Sequence, residues 1–290
     1  MEIVRPRPFF GPGGNSQSFY DEGHKHSEDA PAWVRARGLD AYEYQCGNGV
    51  TGTEATFRKI GERAKEAGIS LSLHAPYFIS LSGTDPETRL KSLGYIAKSR
   101  DAALAMGADT IVIHTGSAAK ISREEALALA ADTLARALDA LGDLPVRYGL
   151  ETMGKKNQLG TLDEVIVLCK ADPRLVPVVD FGHLNARECG NAFRTADDFR
   201  RVFEKIGEGL GDARANYLHC HFSKIEYTDA GEKKHLTFSD TVYGPDYEPL
   251  MEAIARESLC PRIISESAGT MAEDALTMKN YLEGISAAKA

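Results

Sequence analysis

Short runs of β-branched and aliphatic residues recur along this chain. Each is followed by a longer stretch whose apolar positions return every three or four residues. The short runs fall at residues 3–4, 41–45, 70–74, 110–114, 147–151, 176–180, 217–221 and 263–266. The first is the least strand-like, because Pro6 and Pro8 crowd it. The helical pattern over 55–67 stops at Gly68, that over 89–106 at Gly107, and that over 123–141 at Gly142. Thr161 stands three residues before Glu164, the spacing of a capping box. Thr195 precedes an acidic first turn, Asp197 and Asp198. Strands alternating with helices predict parallel βαβ units, and eight of them close a (β/α)8 TIM barrel of the α/β class. A doubly wound open sheet is the alternative. No linker or change of composition divides residues 1–290, so one domain is expected. Residues 11–29 and 224–246 are predicted as long loops, the kind that often carries function.

Composition narrows the picture. Apolar residues make up 43% of the 290 positions and charged residues 26%, ordinary for a globular chain with a large core. The net charge of −8 argues mildly against binding nucleic acid through the whole surface, though a local basic face remains compatible with it. The five cysteines, Cys46, Cys169, Cys189, Cys220 and Cys260, form no CxxC pair, which fits reduced thiols and a cytoplasmic protein. No run reaches the length of a membrane span, and none reads as a signal peptide. No membrane partner is expected, and the chain is taken as a monomer.

The reactive residues fall at the ends of the strands. His74, His114, Glu151 and Asp180 each close an apolar run; His183 follows Asp180 by three residues. The seventh run leads into His219 and His221, and the eighth into Glu266. In a barrel all these ends share one face, where side chains from different strands converge. A lone histidine at a strand end is more often a hydrogen-bonded structural residue. Six consecutive strands ending in His, Asp or Glu instead predict a metal site. Imidazole with carboxylate suits zinc, with manganese or iron as alternatives. The number of ligands exceeds what one zinc ion needs, so at least two ions are expected. His24 and His26 lie outside this pattern and read as solvated.

At these positions the chain resembles the endonuclease IV family of apurinic/apyrimidinic endonucleases, within the xylose-isomerase-like barrel superfamily. The resemblance rests on His74-Ala75-Pro76-Tyr77, His114-Thr115-Gly116, Leu150-Glu151-Thr152, Asp180-Phe181-Gly182-His183, His219 with Ser223-Lys224, and Glu266-Ser267. It implies a trinuclear zinc site and hydrolysis of duplex DNA 5′ of abasic sites, in base excision repair. His74 and His114 would hold the first ion, with Glu151 bridging to the second. Asp180, His219 and Glu266 would complete the second. His183 and His235 would hold the third, beside a carboxylate from a D-x-H motif. Lys233 stands where that motif has its Asp, and His221, Glu232 and Asp240 are the alternatives. Glu151 and Glu266 are the expected catalytic carboxylates. Tyr77, which matches the tyrosine of the His-Ala-Pro-Tyr motif, is an expected DNA contact; because the loop over 47–52 carries no positive charge, Lys155, Lys156 and Lys224, with Lys233 and Lys234, are the expected compensating cations. The other reading is a sugar isomerase or epimerase, with one metal held by Glu151, Asp180, His219 and Glu266. The imidazoles of His74 and His114 would then be superfluous.

Overall fold

The structure is a computed structural model and describes residues 4–288. Eight strands run parallel in one sheet. They are β1 (Phe9–Pro12), β2 (Ala41–Gln45), β3 (Ser70–His74), β4 (Thr110–His114), β5 (Arg147–Glu151), β6 (Leu175–Asp180), β7 (His219–Phe222) and β10 (Arg262–Ser265). Their order is β1-β10-β7-β6-β5-β4-β3-β2. The two outer members meet, since Asp40 N donates to Phe10 O at 2.8 Å and Gly14 N to Glu43 O at 2.9 Å. The sheet is therefore a nearly closed (β/α)8 barrel. Closure depends on Gly11: a Cβ there would lie 1.7 Å from Ala41 O. Two further strands, β8 (Ile225–Thr228) and β9 (Gly231–His235), pair antiparallel as a hairpin above the rim.

Burial on both faces explains the unbroken apolar strands. Ile111, Val112 and Ile113 of β4 are all buried, one face in the barrel interior and the next under the helices. Each such side chain stabilises the fold by roughly 1.5–3 kcal/mol. The helices begin and end where the local chemistry directs. Residues Glu54–Ala67 and Pro86–Met106 end at Gly68 and Gly107, both in the left-handed conformation that a side chain would strain. The helix over Arg123–Leu141 has the predicted bounds. The Thr161 hydroxyl accepts from Glu164 N at 3.2 Å, and the Glu164 carboxylate accepts from Thr161 N at 2.9 Å.

Three expectations change. The first strand lies at Phe9–Pro12; Val4 is exposed and in no strand, and Ile3 lies outside the described residues. Pro6 and Pro8 offer no N–H to a ladder, so pairing starts only where Phe9 N reaches Pro261 O at 2.9 Å. The predicted loop over 11–29 carries the end of β1, a helix over Gln17–Asp21 and a turn of 3-10 helix over Ser27–Asp29. The predicted loop over 224–246 carries the hairpin. Among the described residues, no helix is long and apolar enough to cross a membrane. All five cysteines are free thiols.

Candidate metal centre

The parallel register delivers the reactive residues to one rim. His74, His114, Glu151 and Asp180 are the last residues of β3, β4, β5 and β6, and Glu266 follows the last residue of β10. Asp180 also caps the short helix Phe181–Arg187: one carboxylate oxygen accepts from His183 N at 2.7 Å, which turns His183 back over the barrel. Glu151, fully buried, is the hub. One oxygen lies 3.2 Å from both His74 Nε2 and His114 Nε2; the other lies 2.9 Å from His221 Nδ1.

Among the described residues, four groups of three or four bring donor atoms close enough for one ion: His74, Glu151 and His221; Glu151, Asp180, His221 and Glu266; His183, Glu232 and His235; and Glu43, His219 and His221. The second group has the donor set expected of the second ion, except that His221 stands where His219 was expected. His219 lies one layer lower on β7, level with Val178 rather than with Asp180. There its Nδ1 accepts from Arg262 Nε at 2.9 Å. An arginine donates only, so the neutral ring carries its proton on Nε2, which faces Glu43 Oε2 at 3.0 Å. His74 and His183 are held the other way. Their Nδ1 atoms lie 2.8 Å from Ala75 O and 2.9 Å from Thr152 O, carbonyls that must accept, so in the neutral ring that a metal would bind the lone pair is on Nε2, facing the site.

Glu43 was not anticipated. It is buried in β2, accepts from Ser72 Oγ at 2.8 Å, and reaches His221 Nε2 at 3.0 Å. It thereby orients the His221 ring with Nδ1 toward Glu151. Its only sequence signal was an acid inside the apolar run Tyr42–Tyr44.

The third group contains a carboxylate although the motif lacks its Asp. Glu232 Oε2 lies 3.5 Å from His183 Nε2, and the His183 and His235 rings are 5.3 Å apart. Glu232 and His235 are three apart, which on a regular strand would put them on opposite faces. In the β8–β9 register Tyr227 faces Glu232 and Glu226 faces Lys234, leaving Lys233 as the extra residue of a bulge. The bulge returns His235 to the face of Glu232.

Charge and burial oppose each other throughout. Burial pulls the His74 imidazole down, but Glu151 beside it prevails and holds it up at about 9. His183 is likewise at about 9, with burial outweighed by Asp180 and Glu232. Burial, with the charge of Arg262, drives His219 down to about 3. Burial would raise Glu151; His221 and the other imidazoles around it keep it well below the carboxylate range. Asp180 is raised by burial. Buried Asp180 Oδ2, His219 Nε2 and His221 Nε2 have no well-formed hydrogen bond. For Asp180, in the second group, an unsatisfied buried carboxylate oxygen fits a divalent cation.

A cavity of about 260 Å³ opens over the cluster, with Tyr77, Lys155 and Gln158 on its wall. Tyr77 is 61% exposed. Lys155 and Lys156 are exposed on a loop pinned from below by buried Arg187, which donates to the carbonyls of Met153, Lys155, Lys156 and Gln158. Lys224 is placed differently from the other expected DNA contacts: it is buried, donates to Asp240 O at 2.7 Å and pairs with Asp246 at 2.9 Å. His26 is exposed and His24 stacks on Phe19; neither joins the groups described.

An eight-stranded parallel barrel with imidazoles and carboxylates converging on its C-terminal rim defines a TIM-barrel protein with a candidate multi-ion centre. A family model described as Xylose isomerase-like TIM barrel matches residues 31–280, and the chain belongs to that family. Its relatives include an uncharacterised protein of Methanocaldococcus jannaschii, 30% identical over 252 residues that span 86% of this chain and 90% of that one. A probable endonuclease 4 of Acholeplasma laidlawii is 29% identical over 208 residues, 69% of each chain. Among solved structures, endonuclease IV from Thermus thermophilus superposes with a TM-score of 0.69 at 18% identity, covering 96% of this chain and 100% of that one. A D-tagatose 3-epimerase-like protein superposes with a TM-score of 0.67 at 20% identity, covering 87% and 91%. At these identities the structural likenesses show the fold.

Proposed function

We propose that this chain is a zinc-dependent phosphodiesterase that incises duplex DNA 5′ of abasic sites. The observation that carries this reading is the convergence of His74 Nε2 and His114 Nε2 on one oxygen of Glu151, both at 3.2 Å. A one-ion epimerase centre needs neither imidazole; a centre with a bridging glutamate needs both. The relatives named as probable endonuclease 4 support the same direction. His74, His114 and Glu151 would hold one ion; Glu151, Asp180, His221 and Glu266 a second; His183, Glu232 and His235 a third. Ions held there supply Lewis-acid stabilisation of the charge that develops on phosphoryl oxygens.

The protein's own groups do the remaining work. Glu151 is kept ionised by its imidazoles. Glu266, 15% open to solvent in its side chain, faces the cavity and can exchange a proton there. Tyr77 projects from the rim and would stack in the gap beside the missing base. Lys155 and Lys156 offer charge to backbone phosphates. Removing both should flatten the salt dependence of binding by up to about 2 units of slope.

The test is a short duplex with one tetrahydrofuran abasic analogue, which resists β-elimination. The metallated protein should cleave it to a 3′-hydroxyl; Glu151→Gln should lose bound zinc and cleavage while keeping its circular dichroism. Tyr77→Ala should lower incision without lowering zinc content. An intact duplex with fully metallated protein overturns the proposal. If the same protein then interconverts a ketose and its epimer, the Glu151, Asp180, His221 and Glu266 group is a one-ion sugar centre.

A further inference from the structure

The opposite end of the barrel carries a second concentration of charge. Thr110, Arg147, His219 and Arg262 are the first residues of β4, β5, β7 and β10, so they cluster at the N-terminal mouth. With Arg5, Arg214 and Tyr217 they line a cavity of about 290 Å³. Four arginines and no carboxylate are among its lining residues. The neighbouring acid, Asp109, is already committed: its two oxygens take both terminal nitrogens of Arg262 at 2.7 and 3.0 Å.

The other three arginines have only neutral partners among the described residues. Arg5, 4% exposed, donates to the carbonyls of Cys260, Tyr217 and Leu218. Arg214 donates to the carbonyls of Cys169 and Pro173. Arg147 forms no ion pair, and its buried Nε has no hydrogen-bond partner. Burial, with the charge of Arg262, pulls Arg5 down to about 9; burial also lowers Arg147 to about 10. A plug built for stability would match its cations with acids, since desolvated charge without a counter-ion opposes folding. Of the four arginines on this wall, only Arg262 is hydrogen-bonded to an acid.

We propose that this mouth is a binding site for a phosphate dianion, either free or as the terminal group of a small phosphomonoester. A dianion with three or four acceptor oxygens matches several guanidinium forks at once, whereas a single carboxylate neutralises one. The volume sits at the lower end of small-molecule pockets and exceeds what inorganic phosphate alone fills. Tyr217 adds a phenol to the same wall.

Because bound metal ions at the far rim would also attract phosphate, the experiment uses full-length protein stripped with EDTA. Inorganic phosphate is titrated calorimetrically at fixed ionic strength, with chloride as the control. One phosphate should bind per chain. Glu151→Gln should bind it unchanged, which assigns the site away from the rim. Arg147→Met should weaken it by about tenfold or more, and Arg147→Lys by less, because charge remains without the fork. Should Arg147→Met fail to fold, the partly exposed Arg214→Met carries the same expectation. Competition by glycerol phosphate at lower concentration assigns the ester; its failure to compete assigns free phosphate. No phosphate binding by the stripped wild type, binding lost in Glu151→Gln, or unchanged affinity in the folded arginine variant overturns the proposal.

Discussion

His219 and His221 are two residues apart on one strand, both point into the barrel, and their hydrogen bonds run in opposite senses. Arg262 occupies the Nδ1 lone pair of His219, whereas the Nδ1 of His221 faces Glu151 and its Nε2 faces Glu43. His221→Ala should therefore lose at least one equivalent of zinc, read by elemental analysis of the purified protein. His219→Ala should retain its zinc and lose thermal stability instead. Equal zinc loss in both would mean that the tautomer argument is wrong. Glu43→Gln should weaken zinc affinity by about 10–100-fold, the usual effect of losing a carboxylate behind a ligating imidazole. The sequence offered both histidines and no means of choosing, because the choice rests on Arg262, 43 residues further on, and on Glu43 in β2.

At the scale of elements, the hairpin shows how a spacing is reinterpreted by a backbone irregularity. Glu-Lys-Lys-His resembles a broken D-x-H motif only if the strand is regular. With Lys233 bulged out, Glu232 and His235 share a face. Deleting Lys233 should leave them two apart on a regular strand, still sharing that face, so the third zinc equivalent should survive. Inserting a residue between Lys234 and His235 should abolish it. Zinc titration of the two variants decides, and loss in both sinks the bulge argument. Helix ends were far more legible. Thr161 and Glu164 form the predicted capping box because its geometry involves only four consecutive residues. The first strand was misplaced because its position is set by Pro261 and Ala41, partners distant in sequence.

For the whole molecule, Arg262 is the strut beneath the site, joining Asp109, Ser70 and His219 inside the barrel. Although burial alone would raise Asp109, Arg262 outweighs it and holds the carboxyl below its usual value. A carboxylate lowered on folding stabilises the native state above its unfolded pKa, and that contribution is lost as pH falls through the folded value. Asp109→Asn should therefore destabilise the protein by ~2–3 kcal/mol at neutral pH, below the usual figure for a broken buried pair because the aspartate side chain is 31% exposed. The gap to wild type should be full well above the unfolded aspartate value of about 4 and should close as pH falls below it, through the lowered folded value. Urea melts across that range would check it, and a gap independent of pH would count against the ion pair.

The sequence by itself determined the barrel, the helix ends at Gly68, Gly107 and Gly142, and the rim that carries His74, His114, Glu151, Asp180 and Glu266. Those features follow from periodicity and from the polarity of a parallel strand, which sends every strand end to the same face. Only the tertiary structure decided that His221 joins the rim group and His219 lies beneath it, that Glu43 faces both, that Glu232 comes beside His183 and His235, and that Lys224 is sequestered by Asp240 and Asp246. Each of these depends on a hydrogen-bond partner, a register or a bulge set by residues far apart in the chain, and no local pattern encodes such a partner.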